Sequence, residues 1–144
     1  MTTTLIHDSP KLGEVPYENG DVIRFDRGLP GFEQLREFLV VTRQECAPFV
    51  FLASIEEPEV ALPLLPLGLI AGPDAVDNVT EAAAFLRDDP GSLIATYAVV
   101  SIGREARSMI ANLRAPVVLD LDARRGAQVI MGDESLPVAA PIGG

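Results

Sequence analysis

Tryptophan is absent from this chain of 144 residues, histidine and cysteine occur once each, and bases are outnumbered 21 to 11 by acids. Each shortage excludes something. His7 and Cys46 are the sole imidazole and thiol, so the usual nitrogen and sulfur ligand set of a zinc site cannot be assembled. A lone cysteine forms no internal disulfide and fits a reducing compartment. His7 falls in a polar, unpatterned N-terminal stretch and is expected to be exposed there, where a general base would be poorly held. Cys46 stands beside an acid, Glu45, rather than the cations that activate a thiolate. Long apolar runs are missing too. The longest, Val60 to Ala71, is broken by Pro63, Pro66 and Gly68, well short of the ~18 residues of a membrane helix. Residues Met1 to Asp8 lack the basic start and apolar run of a secretory signal. The expectation is a cytoplasmic protein with no membrane partner.

What is present points to strands. Hydrophobic residues make up 48% of the chain, enough for a core, and 12 Gly with 12 Pro imply many turns between short elements. The length suits one domain, expected over residues 12–142 behind a flexible segment, residues 1–11. The formal charge is −10, and the stretch from Gln44 to Pro90 holds nine acids against the single base Arg87. Phosphate binding needs Lys and Arg to displace counterions, so direct nucleic-acid binding is not expected. A basic protein would instead be steered to such a surface. Asp74, Asp77, Glu81, Asp88 and Asp89 are the candidate partner-binding residues.

Along the chain, Ile23 and Phe25 alternate with Arg24 and Asp26, the period of a half-buried strand. In Leu29-Pro30-Gly31-Phe32, proline presets the second turn position and glycine supplies the positive φ of a type II turn at the third. A helical turn is expected over Glu33 to Glu37. Strands are expected over Phe38 to Thr42, Phe49 to Ile55 and Val60 to Leu65, the last at an edge or bulge because Pro63 cannot donate. Thr80 is a candidate cap for one short helix ending near Arg87. Further strands are expected over Leu93 to Ile102, Ser108 to Leu113, Pro116 to Leu121 and Ala127 to Met131. Such an array suggests a sandwich or barrel.

Candidates for chemistry are few. Asp120 and Asp122, two apart, are expected to share the solvent face. They are the residues on which an alternative function, a ligand-binding β-barrel or carboxylate-dependent hydrolase, would rest. Asp74, Asp77 and Glu81 lack the spacing and central glycine of a calcium loop. Gly68 to Gly72 has neither the lysine of a P-loop nor a dinucleotide fingerprint. No cofactor is implied. A third reading, a pure interaction module, would show an exposed apolar edge near Val60 to Leu65.

Four segments in register carry a resemblance. Gly28-Leu29-Pro30-Gly31-Phe32-Glu33 with Leu35, Phe38 and Leu39 resembles the opening signature of the FliW family of flagellar assembly factors. Pro48 to Pro58, Ala111 to Leu119 and Gly126 to Ile130 continue it, so the likeness spans about Leu12 to Met131. It implies a mainly β fold, a small antiparallel β-barrel-like domain with one short helix. Gly28, Pro30, Gly31, Phe32, Asn112 and Pro116 would be its structural motif residues. The implied function is partner switching without catalysis. Members of the family bind flagellin and a basic RNA-binding homodimer, the carbon storage regulator, which represses translation of flagellin mRNA.

Overall fold

The structure, a computed structural model, describes residues 3–87, 89–102 and 108–142. Among the described residues, ten strands and one α-helix follow in chain order: β1 (Leu5–Ser9), β2 (Gly13–Tyr17), β3 (Ile23–Arg24), β4 (Glu37–Thr42), β5 (Val50–Ser54), β6 (Ala61–Pro66), α1 (Gly72–Ala82), β7 (Ile94–Ile102), β8 (Met109–Asp120), β9 (Arg125–Gln128) and β10 (Ala140–Ile142). Strands β3 to β8 form an antiparallel meander, and β9 closes it by pairing antiparallel with β8 and parallel with β3. The result is a seven-stranded closed barrel, which leaves few free edges.

Alternation along the strands sorts the core into an inside and two coated outer flanks. Inside lie Ile23, Phe25, Phe38, Leu52, Leu64, Val117 and Leu119, all fully buried, with the Phe25 and Phe38 rings edge to face at 5.0 Å. Their neighbours in sequence point outward. Leu65, Ala98, Ala111 and Val118 are covered by Val79 of α1 and by Ala83 just beyond its end. Leu39, Val41 and Ala53 are covered by the β1–β2 hairpin through Val15. Residues 115–120 of β8 are therefore buried on both faces, as its near-continuous apolar sequence requires.

The expected flexible segment, residues 1–11, instead supplies β1 of that hairpin, paired Leu5↔Tyr17 to Ser9↔Gly13. His7 is buried at 5% exposure rather than solvent-facing, because the hairpin lays one side on the barrel wall. The helix also differs from expectation. It begins at Gly72 (φ 81°), with Pro73 in its first turn and Asp74 near its positive end, and it ends at Ala82. Thr80 is inside it, its hydroxyl donating to the Val76 carbonyl at 2.8 Å, and a short 3-10 turn over Ala84–Leu86 follows. Glu33 to Glu37 forms a turn leading into β4 rather than a helical turn. Pro63 sits in β6, between β5 and β7, opposite Phe51. Its missing N–H falls where β6 has parted from β7, whose pairing starts at Leu64↔Val99. The two strands expected over Ser108 to Leu121 are one, β8. Its irregularity lies between the pairs Tyr97↔Val117 and Val99↔Asn112.

Candidate partner-binding surface

Helix α1 is amphipathic. Val76 and Val79 face the barrel, which leaves Asp74, Asp77 and Glu81 exposed along the opposite side. None of these three carboxylates has an ion pair among the described residues. Asp77 and Glu81 are four apart, so their like charges oppose the helix by a few tenths of a kcal/mol, about 0.2–0.5. Beside them opens a shallow pocket of about 280 Å3, walled by Asp77, Glu81, Ala84, Arg87 and Ile94. Arg87, in the same wall, donates from Nη2 to the Ser92 carbonyl at 3.1 Å. Asp89 is exposed in the following loop, where its Oδ1 accepts the Gly91 N–H at 2.8 Å. Asp88 lies outside the described residues. The geometry thus brings Asp74, Asp77 and Glu81 onto one solvent face whose chemistry is attraction of cations.

Other acids do structural work that spacing could not reveal. The Glu56 carboxylate accepts the backbone N–H groups of Arg36 (3.0 Å) and Glu37 (2.8 Å), tying the β5–β6 turn to the entry of β4. Asp120 is fully buried and Asp122 exposed, so the two do not share a face. β8 ends at Asp120, and its Oδ1 accepts the N–H groups of Asp122 (3.1 Å) and Ala123 (2.9 Å), which folds the turn into β9. Asp122 in turn accepts the Leu93 N–H at 2.8 Å. Side chains fill the barrel interior beside them; Asp120 Oδ1 and Asp122 Oδ2 hold backbone, while Asp120 Oδ2 is buried without a hydrogen-bond partner.

The motif residues all stabilise backbone. Leu29 and Phe32 exchange both backbone hydrogen bonds (2.7 and 3.3 Å) around Pro30 and Gly31, with Gly31 at φ 87° as a type II turn demands. Gly28 has φ 63°, and a Cβ there would meet the Glu33 carbonyl oxygen at 2.6 Å. In β8, Asn112 Oδ1 accepts the N–H groups of Arg114 (3.0 Å) and Ala115 (3.2 Å), which the bulge leaves without ladder partners. Pro116 is fully buried there, and its carbonyl accepts the Val129 N–H at 2.8 Å. Arg114, which sequence reasoning passed over, binds the Leu136 and Glu134 carbonyls and fastens the C-terminal segment.

A side-chain-filled barrel carrying an acidic helix face defines a small β-barrel protein. Among the described residues no helix is long and apolar enough to cross a membrane. The family model described as "FliW protein" matches residues 7–142. The chain is 34% identical to the flagellar assembly factor FliW of Carboxydothermus hydrogenoformans over 134 residues, covering 93% of this chain and 86% of the relative. It is 35% identical to that of Thermotoga sp. strain RQ2 over 127 residues, covering 86% and 84%. A crystal structure of a flagellar assembly factor FliW superposes with a TM-score of 0.78 at 23% identity, covering 99% of this chain and 98% of that one. The chain belongs to the FliW family.

Proposed function

We propose that this chain is a cytoplasmic regulator that works by binding. It captures the carbon storage regulator homodimer, relieving repression of flagellin mRNA translation, and it chaperones flagellin by exchanging one partner for the other. The flagellar context rests on family membership. The observation that carries the choice of a basic partner is the uncompensated face of Asp74, Asp77 and Glu81, extended by Asp89. A repressor that grips RNA presents cations, and long-range attraction would steer it onto this face. Asp88 belongs to the same proposed surface by sequence position.

The test is gel filtration of the purified chain with a carbon storage regulator dimer and, separately, with flagellin, at low salt and micromolar concentrations. The expected result is a complex with each partner alone and displacement of the regulator when flagellin is added. If neither partner comigrates, the proposal fails.

A further inference from the structure

Cations gather at one seam of the barrel, where parallel pairing sets Arg24 of β3 beside Arg125 of β9. Arg24 and Asp26 point outward because Ile23 and Phe25, which alternate with them, fill the interior. The Asp26 carboxylate is shared between two guanidiniums, 3.5 Å from Arg24 Nε and 3.1 Å from Arg125 Nη2. Its charge is therefore already matched. Arg27, the next residue, is exposed and has no ion pair among the described residues. Asp26, Arg27 and Arg125 line a hollow of about 190 Å3, a cationic spot on a chain whose formal charge is −10.

The opposite lip of this hollow is apolar. In the 3-10 turn that follows α1, Leu86 and the preceding Ala83 are buried and anchor the turn to the barrel. Phe85 is thereby turned away from the core and stays 61% exposed at the hollow. The turn is held by backbone bonds from the Leu86 N–H to the Ala83 carbonyl and from the Arg87 N–H to the Ala84 carbonyl, so the ring contributes nothing to it. An exposed aromatic ring beside arginines is the composition in which interface centres differ from the rest of a protein surface. Nucleic acid suits the hollow poorly, because Asp26 stands in its wall and a polyanion needs many cations along its track. A single carboxylate suits it well, because a guanidinium can fork onto both of its oxygens.

We propose that this hollow receives an acidic segment of a partner protein. One Asp or Glu carboxylate of the segment meets Arg27, and an adjacent apolar side chain covers Phe85. Arg24 and Arg125 hold Asp26 so that it does not repel the incoming acid. Asp74, Asp77 and Glu81 do not line the hollow. It is a second surface of opposite preference, and the inference does not depend on the function proposed above.

The test follows the amide resonances of the isotope-labelled chain during titration with an acetylated, amidated octapeptide of alternating glutamate and leucine. Its glutamine and lysine counterparts and a hexauridine oligonucleotide are titrated alongside. The glutamate peptide is expected to give saturable shifts at Arg27, Phe85 and Gly126 at millimolar concentration, with the lysine peptide leaving these three unmoved. The glutamine peptide should bind about tenfold more weakly, as should the glutamate peptide to Arg27→Glu, since each change removes a charge-assisted contact. Arg27→Lys keeps the charge without the fork and should lose less, and Phe85→Ala should also weaken binding. Both positions are exposed, and circular dichroism checks that the variants fold; the comparison of glutamate with glutamine peptide needs no variant. No shifts at millimolar glutamate peptide, or unchanged affinity in folded Arg27→Glu, overturns the site. Equal binding of the glutamine peptide overturns the carboxylate, and tighter binding of hexauridine overturns the protein partner. Self-association of the chain that Arg27→Glu removes would give the hollow to a second copy and overturn the proposal.

Discussion

Replacing Gly28 with alanine should damage the fold far more than the same change at Gly31, three residues away in the same motif. Both glycines have positive φ, 63° and 87°, so an L residue at either costs about 1–2 kcal/mol. Their surroundings differ. A Cβ at Gly31 meets nothing within 4 Å, whereas at Gly28 it meets the carbonyl oxygen, carbonyl carbon and Cα of Glu33 at 2.6–2.7 Å. Those atoms are backbone, and they lie where the turn feeds Leu35 and Phe38 into the barrel core. Relieving the overlap means moving that entry, an overpacking cost of about 1–3 kcal/mol on top of the dihedral term. Gly31→Ala should therefore lose about 1–2 kcal/mol and Gly28→Ala about 2–5 kcal/mol. At ~3 °C per kcal/mol for a chain of this size, the melting temperatures fall by about 3–6 °C and 6–15 °C respectively. Urea unfolding followed by far-UV circular dichroism, with unchanged slopes, gives the free energies directly. Equal losses for the two variants would refute the close approach of Gly28 to Glu33.

Asp120→Ala removes the acceptor for two turn N–H groups from a fully buried site and should cost about 2–4 kcal/mol in the same assay. Asp120→Asn keeps an oxygen for them and should cost less. If both variants melt like the parent, the carboxylate does not hold the β8–β9 turn. Asn112→Ala strands the Arg114 and Ala115 N–H groups in the bulge and should lose about 1–2 kcal/mol, against no change if water takes over. Burial raises the Tyr97 hydroxyl above its ordinary value of 10.0. The sign then follows: the unfolded chain gives up this proton first, so the stability contributed is whole below pH 10 and is lost as pH rises through the folded value. Tyr97→Phe should flatten that alkaline loss in melts taken across the range, and an unchanged slope would contradict it.

Local chemistry made some of this fold legible and tertiary packing decided the rest. The turn at Leu29 to Phe32 was readable because proline and glycine each fix one dihedral. β4, β5 and β7 announced themselves by apolar runs between turn residues. The start of α1 was not recognised because Gly72-Pro73 looks like a breaker, although proline within a first helical turn is a start signal. The burial of His7 depends on a wall formed by β4 and β5, about thirty to forty-seven residues away in sequence, so nothing near position 7 could disclose it. Asp120 carries the same lesson. Its spacing from Asp122 suggested a shared exposed face, yet β8 stops at Asp120 and its side chain turns inward to satisfy the backbone. Of the candidate acids, Asp74, Asp77 and Glu81 fall on one face because the helix begins earlier than expected.

The account turns on whether the acidic face of α1 receives a basic partner. Isothermal titration of the carbon storage regulator dimer into the native chain, and into Asp74→Lys/Asp77→Lys/Glu81→Lys, across a range of salt concentrations tests it most directly. The three positions are exposed and without ion pairs among the described residues, so the variant should still fold, losing about 1 kcal/mol or less where lysine replaces Asp74 at the positive end of α1. Losing three exposed attractions of about 0.5 kcal/mol each should weaken binding by about tenfold or more, with a flatter dependence on salt. Unchanged affinity and an unchanged salt slope in a folded variant would contradict the account.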